Sequence, residues 1–298
     1  MPGATSLRTG RKSRRPRDRE IVRSVGLPAL RDLVKHNRGL GMGRFKWLEF
    51  DEKCPNGVVS APEDEGVDEA TCVERGDRCF WEESYERALY HYSRALRYQI
   101  NLEQAWVGQV RCLLALGEFH EANLWADRGL DRFPNSADLL AAKASATGRT
   151  RGTTAALRIS DRALEADGGG DYVWTARGEI LLLAHEEAAA ARCFAKAVEI
   201  ANKDWRCHYA IGRLLLSAGD AARALGYFTQ AERCDGAQSL SMMGAADCYE
   251  RMGEIDAAKS ALYRALRLTP SDHALRERVK RLERIGPLRR LWRAVRRR

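Results

Sequence analysis

The side chains of this 298-residue chain with the most chemical potential are its six histidines and eight cysteines. Catalysis needs a nucleophile or base within hydrogen-bond reach of a group that orients it. His36, His91, His120, His185, His208 and His273 are scattered along the chain. The cysteines, at 54, 72, 79, 112, 193, 207, 234 and 248, form no C-x-x-C pair and no zinc-finger spacing. Most fall among apolar residues at helical positions, where Cys behaves as a small hydrophobe. Reduced, structural thiols are therefore expected, as in a cytoplasmic compartment. Cys207 and His208 are neighbours in sequence, but adjacent residues of a helix do not share a face. His208 reads as a core residue. Glu82-Glu83 and Glu186-Glu187 read as charges at helix starts, not as an acid–base pair. The sequence has no G-x-x-x-x-G-K-[ST] and no H-E-x-x-H, and the "GLGMG" of Gly39 to Gly43 follows no strand. The expectation is a non-enzymatic chain with no cofactor and no metal, with a regulatory subunit of an enzyme encoded elsewhere as an alternative.

Charge points toward partners instead. The net charge is +9. Residues 1–25 hold eight Lys/Arg against two Asp/Glu, and residues 276–298 hold eleven against two. The ends contribute +6 and +9, which leaves −6 for the residues between. No apolar run approaches the roughly 20 residues that span a membrane. No apolar leader segment is evident at the N-terminus, so a signal peptide is not expected.

The elements that position these residues follow from a period. Blocks of 34 residues starting at Glu69 run without a gap through six copies to Asp272. The twentieth residue is always alanine: Ala88, Ala122, Ala156, Ala190, Ala224 and Ala258. The twenty-seventh is Ala95, Gly129, Ala163, Ala197, Ala231 and Ala265, and the eighth is Gly76, Val110, Ala144, Gly178, Gly212 and Ala246. The twenty-fourth is Tyr92, Ala126, Ser160, Phe194, Phe228 and Leu262. Each block reads as two amphipathic helices joined by a short turn, often Gly followed by an acid: Gly117-Glu118, Gly219-Asp220 and Gly253-Glu254. Glycine suits the end of one helix and an acid the start of the next. Small residues at positions 8 and 20 let the two backbones approach, and the bulky residue at 24 reaches toward the next block. One such pair buries too little surface to stand alone, so stacking supplies the core. Block three departs most, with glycines and threonines in "ATGRTRGTTAAL", and is the expected seam.

This pattern resembles the tetratricopeptide repeat family, which has a large residue at position 4, small ones at 8, 20 and 27, a large one at 24 and Pro at 32. Position 4 here is Cys72, Trp106, Leu140, Trp174, His208 and Met242, and position 32 is proline at Pro134 and Pro270. The resemblance covers residues 69–272. It implies an all-α, right-handed helical solenoid of six tandem helix pairs (69–102, 103–136, 137–170, 171–204, 205–238 and 239–272) with a C-terminal capping helix. It also implies a concave groove, lined by the first helix of each pair, that takes a protein or peptide ligand. At the groove positions stand Val73, Asp77, Gln104, Arg111, Asp247 and Arg251, and the densest set is Tyr172, Thr175, Glu179, Arg206, Tyr209 and Arg213. Tyr and Arg are favoured interface anchors, and an Arg pair suits a carboxylate or acidic peptide. The Lys/Asn set with which some members clamp chaperone tails is missing, since Asp77 and Arg111 hold position 9 of the first two blocks.

Residues 1–68 read as a basic, partly disordered arm and linker. Residues 273–285 continue the helical period as a cap, and Gly286-Pro287 breaks it. In the tail, 286–298, Leu288, Leu291, Trp292 and Val295 share one face, with Arg289, Arg290 and Arg293 beside them. Such a helix suits nucleic acid or an anionic membrane surface; docking on the cap is the alternative. The basic arm suits phosphate backbones, solubility or a localisation signal.

Overall fold

The computed structural model describes residues 68–284, apart from 168 and 237, within the unit that begins at Asp64. The readings of the basic arm and of Arg289, Arg290, Trp292 and Arg293 lie outside the described residues. Those residues form thirteen helices and no strand: α1 (Glu69–Trp81), α2 (Tyr85–Tyr98), α3 (Glu103–Ala115), α4 (Phe119–Arg132), α5 (Ala137–Thr150), α6 (Thr153–Asp167), α7 (Asp171–Leu183), α8 (Glu187–Ala201), α9 (Trp205–Ser217), α10 (Ala221–Cys234), α11 (Ser239–Met252), α12 (Ile255–Leu268) and α13 (His273–Glu283). No helix among them is long and apolar enough to cross a membrane.

Local chemistry sets the helix ends. Asp68, Ser136 and Asp272 each accept a backbone N–H from three residues on, which satisfies a donor that the first turn leaves free. Gly117, Gly219 and Gly253 take φ of 78°, 95° and 82° between the helices of their pairs, the left-handed conformation that glycine adopts without steric cost. Consecutive helices pack on each other. The odd-numbered helices α1 to α11 also touch in series, so the chain is a helical solenoid with the first helices in one continuous layer.

All six alanines at position 20 are 0% exposed. The small residue at position 8 serves a different neighbour from the one expected. A Cβ added at Gly178 would lie 2.2 Å from the Phe194 ring, and one at Gly212 would lie 2.9 Å from Phe228. In the first, fourth and fifth pairs, where position 8 is glycine, its partner is thus the aromatic ring at position 24 of the same pair. That ring also presses on a glycine of the next pair: Tyr92 on Gly108 and Phe228 on Gly244, where an added Cβ would sit 2.5 Å away in both cases. Tyr92 and Phe228 each fill a slot with glycine on two sides and couple neighbouring pairs.

The stretch expected to be a seam is helical on both sides of a turn at Arg151–Gly152. Two of its threonines are tied to the preceding pair. Thr147 Oγ1 donates to Asn123 Oδ1 (2.9 Å), and Asn123 Nδ2 donates to Thr150 Oγ1 (3.1 Å). A polar ladder, absent from the sequence reading, joins the first four pairs. Gln109 Nε2 donates to Ser93 Oγ (2.8 Å), Lys143 pairs with Asp127 (2.5 Å) and Arg177 with Asp161 (2.7 Å). At the far end Arg278 of α13 bridges Asp247 and Glu250 of α11.

All seven cysteines among the described residues are free, and all but Cys234 are buried. Burial raises the thiol pKa of Cys72, Cys79 and Cys193, and lifts those of Cys207 and Cys248 to about 12. Since the thiolate is the reactive form, maleimide at neutral pH should label Cys234 first among these seven. Peptide mass mapping should find the other six modified only after unfolding. Rapid labelling of Cys112 in the native chain would contradict the packing of α3.

Candidate functional site

The groove residues come from α3, α7 and α9. Positions 2, 5 and 9 of a first helix share a face, with position 5 nearest the buried side that carries position 8. Arg111 of α3 holds its guanidinium 4.6 Å from the centre of the Tyr172 ring of α7. On α9, Arg206 and Arg213 are exposed, while Tyr209 between them is 5% exposed.

What covers Tyr209 is the turn between α1 and α2. Tyr209 donates its hydroxyl hydrogen to Glu83 Oε1 (2.6 Å), and the Arg213 guanidinium stands 3.2 Å from the same oxygen. Trp81, which ends α1, packs edge-on against Trp205 with ring centres 5.6 Å apart, and the Arg206 guanidinium lies 5.8 Å from the Trp81 ring. Arg111 also sits 4.7 Å from the Phe80 ring and 5.7 Å from Trp81. Guanidinium over an aromatic face is attractive through the ring quadrupole. Tyr85 completes the turn against Phe80, ring centres 5.4 Å apart. Burial and the Glu83 carboxylate push its phenol up to about 12, and the same two causes raise that of Tyr209. Both phenols are therefore neutral donors at physiological pH.

Glu83 holds this position with φ of 56°. A left-handed conformation costs a residue with a side chain about 1–2 kcal/mol. Three other pairs place glycine at the same point of the turn (Gly117, Gly219, Gly253), and His185 shares the conformation of Glu83.

Of the six residues singled out in the sequence, the structure gathers Tyr172, Arg206, Tyr209 and Arg213 around the first turn, together with Arg111. Glu179 is engaged elsewhere, by Arg149 at 2.9 Å. Thr175 is buried. The sequence reading missed Phe80, Trp81, Glu83 and Tyr85. Their signal was the glutamate standing where sister turns carry glycine, inside the aromatic-rich "FWEESY". A separate cleft of about 1020 Å³ opens at the C-terminal ends of α7 and α9, rimmed by Arg149, Glu179, Glu187, Arg223 and Arg251. Among the described residues no His/Cys/Asp/Glu group could hold a metal ion.

The tetratricopeptide repeat family profile matches residues 82–137 and 209–273. A curated relative, anaphase-promoting complex subunit 3 of Schizosaccharomyces pombe, is 24% identical over 154 residues, which are 52% of this chain and 23% of the relative. The chain therefore spans less than a quarter of that relative's length. Similar solved structures include YrrB, described as a TPR protein with an unusual peptide-binding site (18% identity, TM-score 0.38, covering 64% of this chain and 97% of that one). Another is a tetratricopeptide repeat protein from Parabacteroides merdae (14% identity, TM-score 0.47, covering 74% and 86%), and a third is the APC/C Cut9–Hcn1 hetero-tetramer (13% identity, TM-score 0.46, covering 72% and 43%). With six unbroken 34-residue blocks, paired helices in series and a matching family profile at both ends of the array, the chain carries tetratricopeptide repeats where the profile matches, at residues 82–137 and 209–273.

Proposed function

We propose that the chain is a non-catalytic protein-interaction scaffold that takes a peptide or helix of a partner protein on the face formed by α3, α7 and α9. The observation that carries this reading is the convergence of Arg111, Tyr172, Arg206, Tyr209 and Arg213 around one carboxylate, Glu83, and two aromatic rings, Phe80 and Trp81. These are the side chains that dominate interface energetics. Here they already hold an aromatic and acidic segment in place. The chain's relative in fission yeast is by name a subunit of a larger complex, which accords with a scaffold role.

Affinity capture of the full chain, compared with an Arg206→Glu/Arg213→Glu variant, tests the proposal. The variant should lose at least one protein that the unaltered chain retains at stoichiometric yield. Identical captured sets, with both proteins folded by circular dichroism, would place the partner surface elsewhere. A second reading rests on charge: the ends carry +6 and +9, which favours contact with nucleic acid or an anionic membrane in addition to the protein partner.

A further inference from the structure

The first turn is docked on α9, whereas the glycines at the same point of two sister turns face open space. A Cβ added at Gly117 or at Gly219 would meet nothing within 4 Å. Glu83, at the same point of the first turn, reaches a hydroxyl 126 residues away. The contact lies at the edge of the buried spine, where Trp81 and Trp205 pack against the core cluster that includes Tyr209. Phe80, Trp81, Glu83 and Tyr85 all keep some exposure, in contrast with the fully buried rings Phe194 and Phe228. The positive φ of Glu83 is the turn's own geometry, shared with Gly117, His185, Gly219 and Gly253; what sets the first turn apart is a carboxylate there that meets a hydroxyl and a guanidinium of α9.

We propose that the Phe80–Tyr85 turn is a built-in occupant of the groove, and that the partner displacing it presents an aromatic residue followed closely by a carboxylate. This rests on the groove being the partner surface. The chemistry of the occupant defines the ligand. Arg206 and Trp205 provide a place for a large ring, where Trp81 sits. Tyr209 and Arg213 provide a hydroxyl donor and a guanidinium for one carboxylate, where the Glu83 carboxylate sits two residues further on. Arg111, between Phe80 and Tyr172, holds a second ring. Hydrogen bonds to an ionised acceptor are the stronger kind, so the carboxylate position should discriminate most. Because the occupant is part of the same chain, it competes at a high effective concentration. The apparent affinity for an outside segment falls by the fraction of molecules with the turn undocked. The partner must therefore bind well enough to open the turn, or open it by contacting another part of the chain first.

The test uses a dye-labelled synthetic peptide of residues 80–87 and the full chain, read by fluorescence anisotropy. A Trp81→Ala/Glu83→Gly variant should bind the peptide about tenfold more tightly than the unaltered chain, reflecting release of the competing turn. Adding Arg213→Glu should abolish the gain, as should replacing the glutamates of the peptide by lysine. Hydrogen exchange should show the amides of the first turn less protected in the variant. If the double variant does not fold, Glu83→Gly alone should give a smaller gain, since Trp81 stays docked. A folded variant with no gain, or a gain indifferent to Arg213→Glu, overturns the proposal. Neither result touches the capture experiment with the Arg206/Arg213 variant, which decides the broader reading separately.

Discussion

Phe228→Ala should lower the stability of the chain by about 3–5 kcal/mol, the range for removal of a fully buried aromatic ring, in urea unfolding followed by circular dichroism. The large value follows from the absence of anything that could collapse into the space. The ring is 0% exposed. It lies between Gly212 of α9 and Gly244 of α11, neither of which has a side chain to move in, with the Tyr209 ring 5.7 Å away on a further side. Stability in a stacked array is a sum of nearest-neighbour terms. Phe228 is the side chain that α10 sends to both its own pair and the next, so its loss should also weaken the coupling of α11–α13 to the rest. A second, earlier unfolding transition should appear, carrying the signal of the last helices. Leu124→Ala is the control. Leu124 lies on α4 and is 49% exposed, and its replacement should change stability by no more than about 0.5 kcal/mol. Equal losses for the two variants would mean that the glycine-lined slot contributes nothing beyond ordinary surface packing.

The slots around Phe228 and Tyr92 show what the sequence discloses and what it withholds. Alanine at every position 20 reads directly as tight helix crossing, because only a small side chain fits there and the period repeats six times. The identity of the neighbour was less clear. A small residue at position 8 fits either a close backbone or an incoming ring, and only the coordinates distinguish them. The polar ladder is written in the sequence too, as pairs sixteen residues apart, but the search for apolar spacing passed over it. The groove is a harder case. Arg206, Tyr209 and Arg213 could be placed on one face of α9 from their positions in the block. That Glu83 would reach them depends on how far the solenoid turns between the first pair and the fifth. That turn accumulates from small rotations at each interface, and no local pattern encodes the total. Only the local anomaly, a glutamate in a glycine position, was there to be read.

Trp106→Ala should likewise cost about 3–5 kcal/mol, whereas Trp174→Ala should cost clearly less, although both occupy position 4 of their blocks. The sequence gives no reason to separate them, and an anchor such as Trp174 would be expected deep in the core. Trp106 is 2% exposed, its Nε1–H donates to the Ile100 carbonyl at 2.8 Å, and its ring lies 5.8 Å from that of Trp125. Trp174 is only partly buried, and its Nε1 is shielded from solvent without an acceptor among the described residues. An unpaired buried donor carries a desolvation penalty of about 1–3 kcal/mol, so part of what Trp174 contributes through packing is offset. The phenylalanine variants isolate that term, because each removes the indole N–H while leaving an aromatic ring in place. Trp106→Phe leaves the Ile100 carbonyl without its donor and should be destabilising. Trp174→Phe removes an unsatisfied group and should be close to neutral or stabilising. Thermal unfolding of the four variants reads both contrasts at once. If the two phenylalanine variants shifted the midpoint equally, position in the repeat rather than the fate of one N–H would govern the energetics of these two tryptophans.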